Sequence, residues 1–493
     1  MLKITEIGRR FLPYAAQEDV IFIIYLYYHY SSICFSMKNA LLSLTVLLLF
    51  ACNPGSTNNP AEGAFVIQNV SVIPMDTETV LENHDVFIAD GKITHIAPAA
   101  ETQPGKDALI IDGTGKFLIP GLAEMHAHMP RGKDTAAMKD ILELFVLNGV
   151  TTIRGMLGDP VHLELKAQLS EGEITGPHFY AAAPGLMGST VKSVKDADSL
   201  VRKYKNEGYD LLKLLPGLTL ENFNAIVKTA KEVGIPFAGH VSYDVGIWNA
   251  IAAGYASVDH LDGFVESLVP GIEKIPEQQR GLFGLHIARK ADVSKIDTLV
   301  KTLSTHNIWV VPTEALPERW FTPLRTAEAF SKDPEMVYMN EAVLSSWVKA
   351  KNNIMADPLY DSAGAVALIS LRKKILKACS DNNVGIVSGS DAPQVFDVPG
   401  FSLHQELKYM ADAGLTPFQV LQTSTVNAAA YFNNTGSGVI KPGAASDLVL
   451  LNGNPLNDIT QTANIAGVLM GKQWLPGDVI AQRLEALKGK IKQ

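Results

Sequence analysis

Cysteine is scarce in this sequence, with only Cys34, Cys52 and Cys379 among 493 residues. Three cysteines cannot supply a disulfide framework for a chain of this size, and no CxxC pair offers thiolates to a zinc ion. A metal site in this chain would therefore have to use His, Asp, Glu or a modified Lys.

Positive charge and low-complexity sequence are also lacking. The chain has 42 basic residues against 51 acidic ones, a formal net charge of -9, so it has no general attraction for phosphate backbones. Its 47% of hydrophobic residues excludes a disordered chain. Nucleic acid is therefore not an expected partner, and the length fits one large domain with a small one.

The N-terminal region has the features of a targeting segment. A leucine-rich run from Ala40 to Ala51 follows Met37-Lys38-Asn39, and it is too short for a membrane span of about 20 residues. The stretch Leu49-Phe50-Ala51-Cys52 resembles the lipobox of bacterial lipoprotein precursors, whose cysteine is acylated. We therefore predict a lipoprotein-type signal peptide over residues 37–52, lipidation of Cys52 and an extracytoplasmic protein anchored by lipid in the bacterial cell envelope. An uncleaved membrane anchor is the alternative.

Two further segments flank this signal. Residues 53–62 are polar and lack apolar periodicity, which predicts a flexible tether. Residues 1–36 carry another apolar run upstream of a complete signal, so we interpret them as an extension. It reflects either a start codon assigned too early or a true N-terminal membrane segment.

The rest of the sequence changes its hydrophobic period twice. Strand-like alternation starts at Phe65, includes a hairpin signal at Asp90-Gly91, and returns near the C-terminus. Between these ends, short apolar strands alternate with helical patterns such as Leu220–Val233 and Pro417–Tyr431. We predict an α/β protein with a (β/α)8 TIM barrel over residues 119–435 and a small β-sandwich domain from residues 63–118 and 436–480. The eight candidate barrel strands are Phe117–Met125, Thr151–Arg154, His178–Ala183, Leu211–Leu215, Pro236–His240, Ser257–His260, Ile308–Pro312 and Gly385–Ser388.

Several chemically active side chains lie within the candidate strands or at their ends. In a barrel of this type, the catalytic residues lie at the C-terminal ends of the strands. His126 and His128 lie two residues apart, so both imidazoles point to one face in chelating geometry. Lys213 lies inside an apolar strand, where a buried lysine is a candidate nucleophile or a site of carboxylation by CO₂. The set is completed by His240, His260 and Asp391. Each residue alone has a structural explanation, but the set is more specific, and its ligands suit Zn²⁺, with Mn²⁺ or Fe²⁺ also open.

The order of these residues resembles the amidohydrolase superfamily, in particular its imidazolonepropionase-related and prolidase-like members. The shared pattern is an HxH pair, a strand-four Lys, two strand-end histidines and a strand-eight Asp, framed by Leu118-Ile119-Pro120-Gly121-Leu122. The resemblance implies hydrolysis of a carbon–nitrogen amide bond of a small molecule by a metal-bridging hydroxide. It also implies that Asp391 is catalytic and carries the proton to the leaving nitrogen. The implied ligands are His126, His128 and Asp391 for the more buried ion, His240 and His260 for the second, and carboxylated Lys213 between two zinc ions.

Some positions depart from the dipeptidase pattern of this superfamily. Related dipeptidases often have Arg-Asp after the second strand and a tyrosine two residues past the strand-five histidine. Here Gly155 follows Arg154, and Tyr243 comes three residues past His240. Arg154, Tyr243 and His404 are nevertheless the candidate substrate-binding residues.

Three other functions remain open. A prolidase-like dipeptidase would need a group for the free carboxylate of its substrate. A mononuclear imidazolonepropionase-like hydrolase of cyclic amides is disfavoured by Lys213, and a non-catalytic surface binding lipoprotein is disfavoured by the complete ligand set. The sequence also leaves the oligomeric state open, a homo-oligomer included.

Overall fold

The computed structural model describes residues 64–491. The predicted extension, signal peptide, tether and lipidation site at Cys52 lie outside the described residues. Within residues 64–491, no helix is both long and apolar enough to span a bilayer.

The strands of the described residues fall into one large mixed sheet and two smaller parallel sheets. In chain order they are β1 (Phe65–Val72), β2 (Leu81–Ala89), β3 (Lys92–Pro98), β4 (Leu109–Asp112), β5 (Phe117–Pro120), β6 (Leu122–Ala127), β7 (Val150–Gly155), β8 (His178–Ala181), β9 (Leu212–Leu214), β10 (Phe237–Gly239), β11 (Ser257–Asp259), β12 (Trp309–Val311), β13 (Leu448–Leu451), β14 (Ile465–Met470) and β15 (Gln473–Pro476).

Most α-helices lie between or after the strands of the parallel sheets. They are α1 (Thr135–Leu147), α2 (Pro160–Ser170), α3 (Val194–Glu207), α4 (Leu220–Val233), α5 (Gly246–Ala253), α6 (Phe264–Leu268), α7 (Ile296–Thr305), α8 (Ala315–Trp320), α9 (Ala327–Phe330), α10 (Glu341–Met355), α11 (Ser362–Asp381), α12 (Phe401–Asp412), α13 (Pro417–Thr423), α14 (Val426–Tyr431) and α15 (Gly477–Ile491). The predicted helix Leu220–Val233 is confirmed as α4. Its ends follow the local sequence, because Thr219 caps the first turn and Gly234 adopts the left-handed conformation after the last.

The large sheet contains strands from both ends of the described chain. Its order is β15-β14-β13-β5-β1-β2-β3, with β4 paired to β1. The predicted hairpin is confirmed, because Asp90 and Gly91 both have positive φ and join β2 to β3 in antiparallel pairing. β5 connects the two halves, since it pairs with β1 on one side and with β13 on the other. The boundaries of a separate β-sandwich domain stay a prediction.

The smaller sheets, β6-β7-β8 and β9-β10-β11-β12, contain only parallel pairs. An isolated parallel bridge between Ala182 and Leu211 links the first sheet to the second. Another joins Val310 of β12 to Ile386, and Met125 of β6 donates its backbone N–H to Ser388 at 2.9 Å. The described chain therefore has an α/β fold whose parallel strands follow one another in sequence order.

Three predicted elements differ from the structure. The strand predicted at Phe117–Met125 is two strands in different sheets, because Gly121 passes so close to Thr151 that a Cβ would lie 2.1 Å from its Oγ1. The segment Gly385–Ser388 forms a bridge rather than a strand of its own. The helix predicted at Pro417–Tyr431 is broken after Thr423, where the Ser424 hydroxyl donates to the carbonyl of Ala123 at 2.9 Å.

Candidate metal centre

The structure brings the predicted site residues together where the parallel strands end. Nε2 of His128 lies 2.6 Å from Oδ1 of Asp391, and Nε2 of His126 lies 3.4 Å from the same oxygen. The Lys213 ammonium lies 3.2 Å from Nε2 of His126. The ring of His260 lies 4.5 Å from the ring of His126 and 4.5 Å from that of His240, measured between centroids. Side chains from five separate segments thus share one centre.

Three of these residues already have the spacing of a metal site. His126, His260 and Asp391 each offer one ligand atom, and these atoms lie within 4.8 Å of one another. All three side chains are buried, whereas the side chains of His128 and His240 are 21% and 19% exposed. The centre therefore has a closed side at His126 and a side open to solvent at His128 and His240.

The polar contacts of the imidazoles fit a metal, and the contact at Nδ1 of His126 is a close approach outside hydrogen-bond geometry. In three of the four histidines, a protein oxygen contacts Nδ1, which leaves Nε2 as the nitrogen available to the centre. The Nε2 atom of His260 is buried without a hydrogen-bond partner, and such an atom is costly to bury unless it binds something. The oxygens on Nδ1 belong to Asp259 for His126 at 2.9 Å, Asp262 for His240 at 2.6 Å and Thr313 for His260 at 2.9 Å.

Burial also sets the charge of the ligands. It lowers the pKa of His126 and of His260 well below the usual value of a histidine, so both rings are neutral at neutral pH. Burial likewise lowers the pKa of Lys213, against the attraction of Asp259 and Asp391. A neutral imidazole is the form that binds a metal, and a neutral amine is the form that reacts with CO₂.

Backbone geometry at this edge is unusual. Asp391 and His260 both have positive φ, at 67° and 62°, although neither is glycine. Gly389 lies against strand β6, where a Cβ would be 2.8 Å from the backbone nitrogen of His126. The chain therefore approaches His126 more closely here than any side chain would allow.

Two of the three predicted substrate-binding residues have no free polar atom. Arg154 is fully buried, and its guanidinium donates to protein oxygens through all three of its nitrogens. His404 is buried between Thr462 and the carbonyl of Asn148, which occupy both ring nitrogens. The polar atoms of Arg154 and His404 are therefore satisfied within the protein, and contact of these residues with substrate stays a prediction.

Tyr243 is placed differently. It is half-buried, and the guanidinium of Arg280 lies 5.2 Å from its ring centroid. Both residues line a cavity of about 130 Å³ together with Glu266 and Trp248. Tyr243 therefore stays a candidate for contact with a substrate.

Sequence reasoning missed the acidic residues that support the ligands. Glu124 accepts hydrogen bonds from the backbone N–H groups of His126 at 3.0 Å and Ser390 at 2.8 Å, and burial raises its pKa to about 7. Asp259 and Asp262 contact His126 and His240. The available signal was position, since Glu124 precedes His126 by two residues and the two aspartates flank His260-Leu261.

Comparisons with known proteins agree on one family. A model described as the amidohydrolase family matches residues 117–489. An adenine deaminase of Ruegeria sp. (strain TM1040) is 34% identical over 95 residues, which are 19% of this chain and 15% of that protein. A dihydroorotase of Pediococcus pentosaceus is 22% identical over 454 residues, which are 83% of this chain and 95% of that protein. The chain thus matches only a small part of the adenine deaminase but nearly all of the dihydroorotase.

Solved structures share the fold at low sequence identity. Bottromycin amidohydrolase superposes with a TM-score of 0.65 and 22% identity, over 89% of this chain and 94% of that one. A putative prolidase from Bifidobacterium longum gives a TM-score of 0.62 and 20% identity, over 87% of this chain and 100% of that one. These likenesses establish the fold.

The contact at Gly389 leads to a test of the centre. In Gly389→Ala, the new methyl group would collide with β6 at His126, so we expect the free energy of unfolding to fall by about 1–3 kcal/mol. Zinc binding should weaken as well, because His126 must move. Denaturant titration and a zinc titration measure the two effects. Gly105→Ala is the control, since a Cβ there meets nothing within 4 Å. Equal stability and equal zinc binding in both variants would contradict the prediction.

Proposed function

The chain belongs to the amidohydrolase family, and on that premise we propose that it is a metal-dependent amidohydrolase that cleaves a carbon–nitrogen amide bond of a small molecule. One observation carries the proposal. Ligand atoms of His126, His260 and Asp391 converge within 4.8 Å in a buried centre. The buried Nε2 of His260, which has no hydrogen-bond partner, supports a bound ion over a non-catalytic binding protein.

A closed (β/α)8 barrel is the architecture that we infer for this centre. The sequential parallel strands, the bridge at Val310 and Ile386, and the bond from Met125 to Ser388 support it. In such a barrel, the C-terminal ends of all strands open onto one face. That arrangement accounts for side chains from distant parts of the chain meeting at one centre.

The proposed ligands divide into two groups around Lys213. His126, His128 and Asp391 would hold one divalent ion and His240 and His260 the other, with carboxylated Lys213 between them. Zinc is the proposed metal, with manganese or iron as alternatives. When bound, such ions polarise the carbonyl of the substrate and lower the pKa of water. The burial of Lys213, which lowers its pKa, supports carboxylation.

Asp391 is the proposed proton carrier. Its Oδ1 lies 2.6 Å from Nε2 of His128, and its Oδ2 lies 3.9 Å from Nδ1 of His260. Each oxygen of the carboxylate therefore lies within 4 Å of an imidazole nitrogen of the centre. It would accept a proton from the attacking water and deliver that proton to the leaving nitrogen, as a general base and then a general acid.

A dipeptide is the second candidate substrate, in the manner of a prolidase. The observation that favours it is the cavity lined by the residues that follow His240 in the chain, where the guanidinium of Arg280 lies 5.2 Å from the ring centroid of Tyr243. A guanidinium is the group best suited to a free carboxylate. A test set of three substrate classes separates the candidates. Turnover of Xaa-Pro dipeptides would favour the dipeptidase, turnover of N-acyl amino acids another amide hydrolase, and turnover of cyclic amides the cyclic-amide hydrolase.

A lipid anchor at Cys52 is the location that we propose, in the bacterial cell envelope and outside the cytoplasm. The support is the sequence pattern of residues 37–52 alone. Cys52→Ala should abolish incorporation of labelled fatty acid in cells, because no other residue takes the lipobox position. Normal labelling of that variant would contradict the anchor.

Metal analysis tests the centre directly. We expect about two metal ions per chain in protein purified without chelators from medium with zinc and bicarbonate, and about one or fewer in Lys213→Met. Elemental analysis gives the count. Lys351→Met is the matched control, because Lys351 is equally buried but donates to backbone carbonyls of Arg319 and Thr322. One ion that is indifferent to Lys213 would favour the mononuclear cyclic-amide hydrolase, and no ion would favour a binding protein.

Substitution of the proton carrier tests the mechanism. In Asp391→Asn, we expect turnover to fall by about 10²–10⁴-fold, because the amide cannot take and return a proton. Steady-state kinetics on the best substrate of the set measures the loss. Asp447→Asn is the control, since Asp447 pairs with the half-exposed His178. Unchanged turnover in Asp391→Asn would remove this residue from the mechanism.

A further inference from the structure

Asp259 connects the centre to a buried arginine. It ends strand β11, is fully buried, and places Oδ2 2.9 Å from Nδ1 of His126 on strand β6. We infer that Asp259 and Arg154 are positioning residues that fix the ring orientation and tautomer of His126, so that its Nε2 presents a lone pair to the centre. This inference rests on the proposed metal-dependent function.

The arginine holds the aspartate in one orientation. Nη2 of Arg154 donates to both oxygens of Asp259, at 3.2 and 3.1 Å. The Ser257 hydroxyl adds a third bond, to Oδ1 at 2.7 Å. An ionised carboxylate only accepts hydrogen bonds, and a bidentate guanidinium fixes its plane. Oδ2 is therefore held facing the ring of His126.

The arginine is itself anchored on three sides. Its Nε donates to the carbonyl of Met125 at 2.6 Å, next to His126 in the chain. Its Nη1 donates to Ser257 at 2.9 Å and to the hydroxyl of Tyr431 at 2.7 Å. Tyr431 is the last residue of α14, so the network joins three strands to a helix. Arg154 cannot turn without breaking bonds to all of them.

The consequence for His126 follows from its two nitrogens. Oδ2 of Asp259, which can only accept, lies 2.9 Å from Nδ1 of His126 but outside hydrogen-bond geometry, so its charge favours the proton on Nδ1 and leaves Nε2 bare. The contact on the other side agrees, since Lys213 lies 3.2 Å from Nε2 and an amine can donate to that lone pair. A ring in this tautomer is ready to bind a cation without rearrangement.

His126 differs in this respect from the other supported histidines. The partner of His260 is the hydroxyl of Thr313, which can donate or accept. The partner of His240 is Asp262, a residue with partial access to solvent. Among the histidines of the centre within residues 64–491, only His126 contacts a carboxylate that is also bound by a fully buried arginine. The arrangement therefore singles out one ligand.

Asp259→Asn tests the inference in the full-length protein. The carboxamide has only one acceptor oxygen, so its NH₂ group must face either Arg154 or His126. We expect zinc affinity, measured by competition with a chromophoric chelator, to fall by about 10–100-fold. Long-range ¹H–¹⁵N spectra of the metal-free protein should show loss of the Nδ1–H tautomer of His126. Unchanged affinity together with an unchanged tautomer would overturn the inference.

Two further proteins make the result specific. Asp85→Asn is the matched control, because Asp85 is equally buried and accepts from the backbone of Asn69 but lies in the large sheet. It should leave zinc affinity and the tautomer unchanged, and an equal loss in both variants would overturn the inference. Arg154→Lys keeps the charge and removes the fork, so it should also weaken zinc binding by about tenfold or more. It provides the test if Asp259→Asn does not fold. Wild-type protein that binds no zinc, manganese or iron would overturn the proposed function itself.

Discussion

Burial of ionisable side chains at the strand ends is the constraint on which this structure depends. Arg154, Lys213 and Asp259 all lie out of water, where an unpaired charge costs several kcal/mol. Each can stay there only because another buried group meets it, so the positions of these residues are determined together. Nε2 of His260 is buried among these groups without a hydrogen-bond partner. Because this nitrogen belongs to the group of residues that could hold a metal ion, it supports the proposal that an ion binds there.

Close approaches between backbone segments bring the buried side chains of the centre together. Gly121 lets the chain pass from the large sheet into the parallel strands, because a side chain there would collide with Thr151. Gly389 also allows a close backbone approach, because the segment that carries Asp391 packs against His126 of β6 there. Glu124 then bonds both segments through the N–H groups of His126 and Ser390. These backbone contacts therefore hold His126 and Asp391 close together, and their side chains lie close together as a result.

Local rules predicted the ligands but not their supporting residues. The HxH spacing and the strand-end positions of His240 and His260 depend only on the period of a strand, which a sequence displays directly. Asp259 was missed because consecutive strand residues point to opposite faces, and the strand was expected to continue through His260. In the structure β11 ends at Asp259 and His260 has a positive φ, so both side chains reach the interior. The buried partner of Arg154 was missed for a different reason, since it lies 105 residues away in the chain.

This division explains why the reaction type is better defined than the substrate. His126 and Lys213 lie on short strands, and His240 and His260 directly follow strands, so their positions depend on hydrogen-bonded pairing that tolerates little variation. Tyr243, by contrast, follows β10 on a connecting segment, and its partner Arg280 lies between short 3-10 turns. Connecting segments accept changes in length and sequence without loss of the core. The proposed catalytic residues are thus tied to the strands, whereas the proposed substrate contacts lie on the connecting segments.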